Sequence, residues 1–523
     1  MDYLIKGGIV IDGSGSAIIP EKMDIAIKDD RIEEIGTLPH VKAGSTINAE
    51  GLFVCPGFID AHAHSEFALL ADGRAEGKIS QGITTEVNGN CGLSAAPLYG
   101  PAREQREADL AELEIKERWH TFDEYFGLLK RKGIATNFVT LAGHGNIRAS
   151  IVGYADRQPT ESEMEQMAAL LRSTMQAGAK GISTGLIYPP GIYAETPELI
   201  TLSSEAARHN GIYTTHMRSE GDMVTESVRE AITIAEEAAV PVHISHLKTS
   251  GAQNWGKIHD VFALIEEALG RGLMISCDRY PYTASSTDLD TVLPSWAYEG
   301  GRKREIARLK EEREGLEREV LRAYNGPDCW DKIVISSVVS DKNRWMEGKS
   351  ILELSRIQGK REVDSVFDLL IDEALSVGAI FFTMNDENLN SILRKPYSVM
   401  GTDSAARSFD GITARGVPHP RGFGSCPRLL GRFVRDQGVL TLSEAVYKMT
   451  GLTAQIFGIK KRGMLAKGFR ADIVVFDGSK VIDTADFRTP FMKPEGIRHV
   501  FVNGKPALRD GEPTGALAGR ILA

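Results

Sequence analysis

The sequence predicts an α/β protein: a (β/α)8 TIM-like barrel with a small β-sandwich domain built from both chain ends. Three observations predict it. Apolar strand-like runs alternate with helical patterns through the middle of the chain, which argues for a parallel sheet with helices outside. Eight such runs can be counted, the number that closes a barrel. Both ends of the chain instead read as short strands with Gly and Asp turns between them.

The 523 residues exceed the size of one core, so one large and one smaller domain are expected. The amino-terminal runs LIKGGIVIDG, DIAIKDD and RIEEIG carry apolar residues near period two. ADIVVFDG and IRHVFVNGKPAL near the other end have the same texture, and Asn503-Gly504 is a hairpin signal. Residues 1–55 and 465–523 are therefore assigned to the small β domain and 56–464 to the barrel. The expected barrel strands are Phe58–His64, Thr84–Cys91, Thr136–His144, Gly181–Tyr188, Ile212–Arg218, Val242–Lys248, Met274–Tyr280 and Ser398–Asp403. Helical patterns such as Ser162–Gln176 and Asp222–Ala239 lie between them. No Gly-x-Gly-x-x-Gly turn opens a helix, which counts against a doubly wound sheet. An insertion is expected at about 287–347. Its charged run GRKREIARLKEEREGLEREVLRAY reads as an exposed helix, either covering the barrel mouth or lying on the surface.

Composition narrows the function. Hydrophobic residues make up 42% and charged residues 25%, ordinary for a globular protein. A net charge of −10 argues against general nucleic-acid binding. Cys55, Cys91, Cys277, Cys329 and Cys426 are few, odd in number and scattered, so they suit a reducing cytoplasm rather than a disulfide framework. No signal peptide or membrane span is expected, and neither nucleic acid nor a membrane is the expected partner.

The chemistry collects at strand ends, where a barrel places its site. In FIDAHAHSEF, His62 and His64 are two residues apart and point the same way on a strand, with Asp60 on that face one step earlier. TTEVNGNCG ends at Cys91, GIYTTHMR near His216, PVHISHLK near His246 and YSVMGTDS at Asp403. Each has a packing explanation alone: Cys91 as a small buried hydrophobe, His216 as a core histidine, Asp403 as a cap. Together they form a mixed Cys, His and Asp set, which suits Zn2+ and disfavours Mg2+ or Ca2+. Parity puts His246 and Lys248 on one strand face and His243 on the other, so His243 is read as structural and outward-packed.

With these motifs the chain resembles the amidohydrolase superfamily, and more closely the N-acyl-D-amino-acid deacylases (D-aminoacylases). The resemblance runs the length of the chain through NGNCG, TGLIYPPG, HMRSEGD, SHLK, DRYPYTA, PHPRGFGSCPRLLG and TLSEAVYKMTGLTAQIFGI. It implies a zinc-dependent hydrolase that removes the acyl group from N-acyl-D-amino acids. It implies that Cys91, His216 and His246 hold a tight zinc, with His62, His64 and Asp403 forming a neighbouring, weaker position. Cys91 takes the place that a carboxylated lysine fills in many relatives, since Lys180 sits at the wrong end of its strand. Asp403 would be the catalytic acid and base. Lys248, Tyr188 and a tyrosine of DRYPY, Tyr280 or Tyr282, would surround the substrate. Arg218, Arg394 and Arg415 are further candidates for its carboxylate. The stretch MGTDSAARSFDG departs from the family's usual Gly-Ser-Asp-Gly, which puts side-chain preference in doubt. The competing readings are a cyclic-amide hydrolase (hydantoinase- or dihydroorotase-like), a D-dipeptidase on the same fold, a metal-dependent deaminase, and an inactive scaffold.

Overall fold

The computed structural model describes residues 1–16, 21–326 and 328–523; positions 17–20 of the expected β domain and 327 of the expected insertion lie outside them. The two chain ends meet in one nine-stranded sheet. Tyr3–Val10 runs antiparallel to Glu21–Lys28, which pairs with Arg31–Gly36. From the other end, Ile473–Phe476 pairs with Phe53–Pro56, and that strand lies parallel to Tyr3–Val10. Period two explains the burial. Ile25 and Ile27 join Ile5, Val54 and Phe501 in one cluster, while Ala26 between them packs with Leu4 and Leu38 on the opposite face. Asn503 (φ 48°) and Gly504 (φ 75°) turn Ile497–Val502 into Lys505–Arg509, the left-handed pair a two-residue hairpin requires.

Eight parallel strands carry the centre of the molecule: Phe58–Asp60, Ile83–Asn88, Asn137–Thr140, Gly181–Gly185, Ile212–His216, Val242–Ile244, Ile275–Arg279 and Ser398–Met400. The third continues past a break as Ala142–Gly143. They fall into a three-stranded and a six-stranded sheet. Between the first strand and the last, the Ala61 N–H donates to the Met400 carbonyl at 3.1 Å. Helices separate most of them. Glu161–Gln176 starts at a Thr160/Glu163 capping box and buries Met167, Leu171 and Met175, four residues apart on one face. Each such side chain contributes roughly 2 kcal/mol by leaving water. Among the described residues, no helix is long and apolar enough to cross a membrane.

Between the seventh and eighth strands the chain builds a separate layer. Ser285–Asp288, Ile333–Val338 and Val377–Phe381 form an antiparallel sheet, so the layer reaches beyond the 287–347 expected. It has its own core, including Leu309, Leu316, Val320, Val366 and Phe367. The charged run is not one exposed helix. It forms Arg302–Glu311 and Arg313–Ala323, joined at Glu312, and Leu309, Leu316 and Val320 within it are buried.

Candidate metal centre

All eight strands stop earlier than their apolar patterns suggest. His216 closes its strand and the other candidate ligands lie just beyond theirs, three of them with the left-handed backbone that side chains seldom adopt: Cys91 (φ 53°), His246 (φ 36°) and Asp403 (φ 51°). Such strain persists only where surrounding contacts enforce it, and it gathers at functional sites. The turns bring six residues together in two groups that share one atom. His62, His64, Cys91 and Asp403 form one, and Cys91, His216 and His246 the other, with donor atoms inside each within 4.8 Å. Cys91 Sγ lies 3.3 Å from His62 Nε2 and 3.5 Å from His246 Nε2. His64 Nε2 is 3.2 Å from both His62 Nε2 and Asp403 Oδ1.

This donor set fits a soft divalent cation. Both ring nitrogens of His216 are buried with no hydrogen-bond partner, a costly state for a polar group unless something else ligates it. Burial opposes ionisation of Cys91, yet His62 and His246 beside it hold the thiol well below its usual value. Burial likewise works against the charge on Asp403, but Arg421, His246 and His62 hold its carboxyl far down. A thiolate, a carboxylate and converging imidazoles are the ligands zinc takes.

Side chains behind the cluster fix its rings. His62 donates from Nδ1 to Asp278 Oδ2 at 3.1 Å, which leaves Nε2 bare toward the cluster. His243 Nε2 donates to the same oxygen at 3.0 Å, and the ring is fully buried. His243 is therefore not outward packing but part of the support for His62. The parity argument failed because the strand ends at Ile244, and alternation does not continue through the turn to His246. Asp60 does not face the cluster; it accepts from Lys78 Nζ at 2.6 Å and from Thr402, anchoring the turn that carries Asp403. At Gly401 a Cβ would lie 2.6 Å from His62 Cβ and 2.8 Å from Asp278 Oδ1, so only glycine lets that turn approach.

A cavity of 430 Å³ opens above the cluster. Lys248 lines it, paired with Glu220, and its Nζ lies 2.8 Å from His246 Nδ1. Tyr188 lines it too; its ring meets His216 edge-on and its hydroxyl is 2.9 Å from Thr287 Oγ1. The two tyrosines of DRYPY lie elsewhere. Tyr282 donates to Asp483 at 3.3 Å, and Arg428 covers its ring. Tyr280 is buried between Arg279 and Arg421, 4.2 and 4.6 Å from its ring centre, and does not reach the cavity wall. None of the three arginines considered from sequence lines this cavity. Arg218 pairs with Glu230, Arg415 lies by Glu114, and Arg394 is exposed. Arg421 lines it instead, 2.9 Å from Asp403 Oδ2 and nearly buried. Its signal was present in the PHPR stretch. Glu220 and Asp278 gave none, because each acts across the fold on a residue distant in sequence.

A Cys, His and Asp cluster at the carboxyl ends of parallel strands, beside a sheet made from both chain ends, defines an amidohydrolase. Comparison with known proteins agrees: the chain belongs to the amidohydrolase family, whose model matches residues 45–507. It is 37% identical over 522 residues to a D-aminoacylase of Alcaligenes xylosoxydans xylosoxydans, covering 100% of this chain and 97% of that one. A solved D-aminoacylase structure, described by its binuclear metal centre with one-metal activation and second-metal attenuation, superposes with a TM-score of 0.83 at 35% identity, covering 100% and 99% of the two chains. The N-acyl-D-glutamate deacylase of Bordetella bronchiseptica, solved with zinc and a phosphonate mimic of the tetrahedral intermediate, gives 0.84 at 32% identity over the same shares.

Proposed function

We propose that this protein is a zinc-dependent hydrolase that removes the acyl group from N-acyl-D-amino acids, releasing a carboxylate and the free D-amino acid. The observation that carries the reading is the position of Cys91 Sγ, common to both donor groups. We assign Cys91, His216 and His246 to the tighter zinc and His62, His64 and Asp403 to the neighbouring, weaker position. The eight parallel strands are read as one closed (β/α)8 barrel over residues 56–464, carrying the layer between its last two strands, with 1–55 and 465–523 as the β domain. The reduced cysteines favour the cytoplasm as its compartment.

When bound, zinc supplies Lewis acidity to the acyl carbonyl and brings the pKa of an attacking water toward neutrality. Asp403 is the catalytic residue. It begins as a carboxylate because Arg421 pairs with Oδ2, leaving Oδ1 free to face the histidines and accept the water's proton. It then delivers that proton to the nitrogen, since an amine leaves poorly unless protonated. Lys248, oriented by Glu220, and Arg421, backed by the face of Tyr280, are the two cations on the cavity wall near the cluster, and they suit the substrate's α-carboxylate. Tyr188 bounds the site beside His216.

The test is amine release from paired N-acetyl-D- and N-acetyl-L-amino acids with Met, Leu, Phe, Glu and Lys side chains, using zinc-loaded enzyme. Release from the D-series alone is expected. No release from either series, with zinc bound, would remove the substrate assignment. Asp403→Ala should keep zinc in the tight site and lower kcat by at least about 100-fold. Full activity in that variant would exclude Asp403 from proton transfer.

A further inference from the structure

The cavity has a second half, contributed by helix Gly100–Glu112 and the layer between the last two strands, whose chemistry the reaction does not explain. There it is lined by Asp109, Asp288, Asp290 and Glu305, against Arg106 and Arg302. The cations do not neutralise this wall. Arg106 is engaged by Asp109 at 2.7 Å. Arg302 turns to the Ala374 carbonyl and the Ser376 hydroxyl, at 2.5 and 2.7 Å. Among the described residues, Asp288, Asp290 and Glu305 make no ion pair. Among these six residues, four acids stand against two cations.

Glu305 is the decisive member. It is 3% exposed, it lines the cavity, and its Oε1 is buried with no hydrogen-bond partner. A buried carboxylate without a partner is unfavourable unless it protonates or meets a cation. Burial first, then Asp290 and Asp288, push its carboxyl up to about 9. An incoming positive charge would remove that penalty. Tyr298 lines the same half, an aromatic residue of the kind cations also favour.

We infer that this half of the cavity is a cation subsite, and that the preferred substrates carry an ammonium or guanidinium away from the scissile amide, held by Glu305 with Asp290 and Asp288. This rests on the deacylase reading and specifies it further. The positive charge has two chemical sources. It is either the side chain of a basic D-residue, as in N-acyl-D-lysine or N-acyl-D-arginine, or the amino group of an acyl unit that is itself an amino acid.

N-acetyl-D-norleucine is N-acetyl-D-lysine with the amine removed, so the pair isolates the charge. For the zinc-loaded enzyme, kcat/KM for the lysine compound should exceed that for norleucine by at least about tenfold, the scale of one well-desolvated charge pair. In Glu305→Gln, and independently in Asp290→Asn, that ratio should fall below about three. Glycyl-D-norleucine against N-acetyl-D-norleucine asks the same of the acyl side, and a preference in either pair supports the subsite and identifies the source. Ratios near one or below in both pairs, with norleucine compounds still hydrolysed, would overturn the subsite and leave the deacylase reading standing. If no compound is hydrolysed, the deacylase reading falls, and calorimetry with the same ligands decides the subsite. Tighter binding of N-acetyl-D-lysine than of N-acetyl-D-norleucine, lost in Glu305→Gln, would keep it. Equal or absent binding would dismiss it.

Discussion

The two halves of the cavity handle buried charge in opposite ways. Behind the metal ligands the supporting charges are paired: Asp403 faces Arg421, Glu220 faces Lys248, Asp278 receives two histidines, and Lys78 sits between Asp60 and Glu86. On the layer inserted between the last two strands, Asp288, Asp290 and Glu305 make no ion pair among the described residues. Paired buried charges hold a geometry, because breaking a pair leaves an expensive remainder. Unpaired ones are poor scaffolding and good bait. The contrast separates what performs the reaction from what selects its substrate, and it places the two on different parts of the chain.

The contrast can be broken most severely at Cys91. Cys91→Ala removes the one donor common to both groups, so metal stoichiometry measured by elemental analysis should drop toward zero and activity with it. Zinc retained at full occupancy would mean that the histidines and Asp403 suffice. A milder change on the same side is Asp278→Asn, which keeps the shape and weakens the support of His62 and His243. Zinc affinity, followed by chelator competition, should weaken by about 10- to 100-fold, the range typical of such outer partners. An unchanged affinity would reduce Asp278 to packing.

The smallest expected effect sharpens the other side. Glu305 is packed near Asp288 and Asp290, which oppose its ionisation, and near Arg302 and Arg308, which favour it. The folded chain keeps a proton on Glu305 up to about pH 9, while the unfolded chain releases it near the ordinary 4.5. Between these values the folded state binds the extra proton, so this group's contribution to stability is present below pH 4.5 and is lost as pH rises toward 9. Glu305→Gln escapes that loss. Its Tm relative to the parent should therefore climb steadily from pH 5 to pH 9 in thermal denaturation. A difference that stays flat with pH would mean that Glu305 is ionised throughout.

Legibility in the sequence followed the same division. The strands were visible because their burial is local and periodic, as in Ile25 and Ile27, and the ligands were visible because His, Cys and Asp at strand ends are rare enough to add up. What stayed hidden was contributed across the fold. Nothing near Asp278 in sequence announces that it receives His62 and His243 together. Parity misplaced His243 because backbone geometry changes in the turn after Ile244, where periodicity carries no information. Glu305 looked like one solvent charge among many in GRKREIARLKEEREG, and only the packing of its helix against the cavity distinguishes it from its neighbours. Arg421 stood in a recognisable stretch, but its pairing with Asp403 depends on a turn rather than a pattern.

His64 and Asp403 are 339 positions apart, and Asp30 pairs with Arg520 across 490. During synthesis His62 and His64 therefore leave the ribosome long before Asp403 exists. Apolar strands such as Phe58–Asp60 and Phe53–Pro56 must wait for Ser398–Met400 and Ile473–Phe476 before their edges are covered. Contacts this distant make folding slow and keep sticky intermediates in play. The nascent chain thus carries uncovered strand edges until Ile473–Phe476 emerges, and the six ligands cannot gather before Asp403 is made.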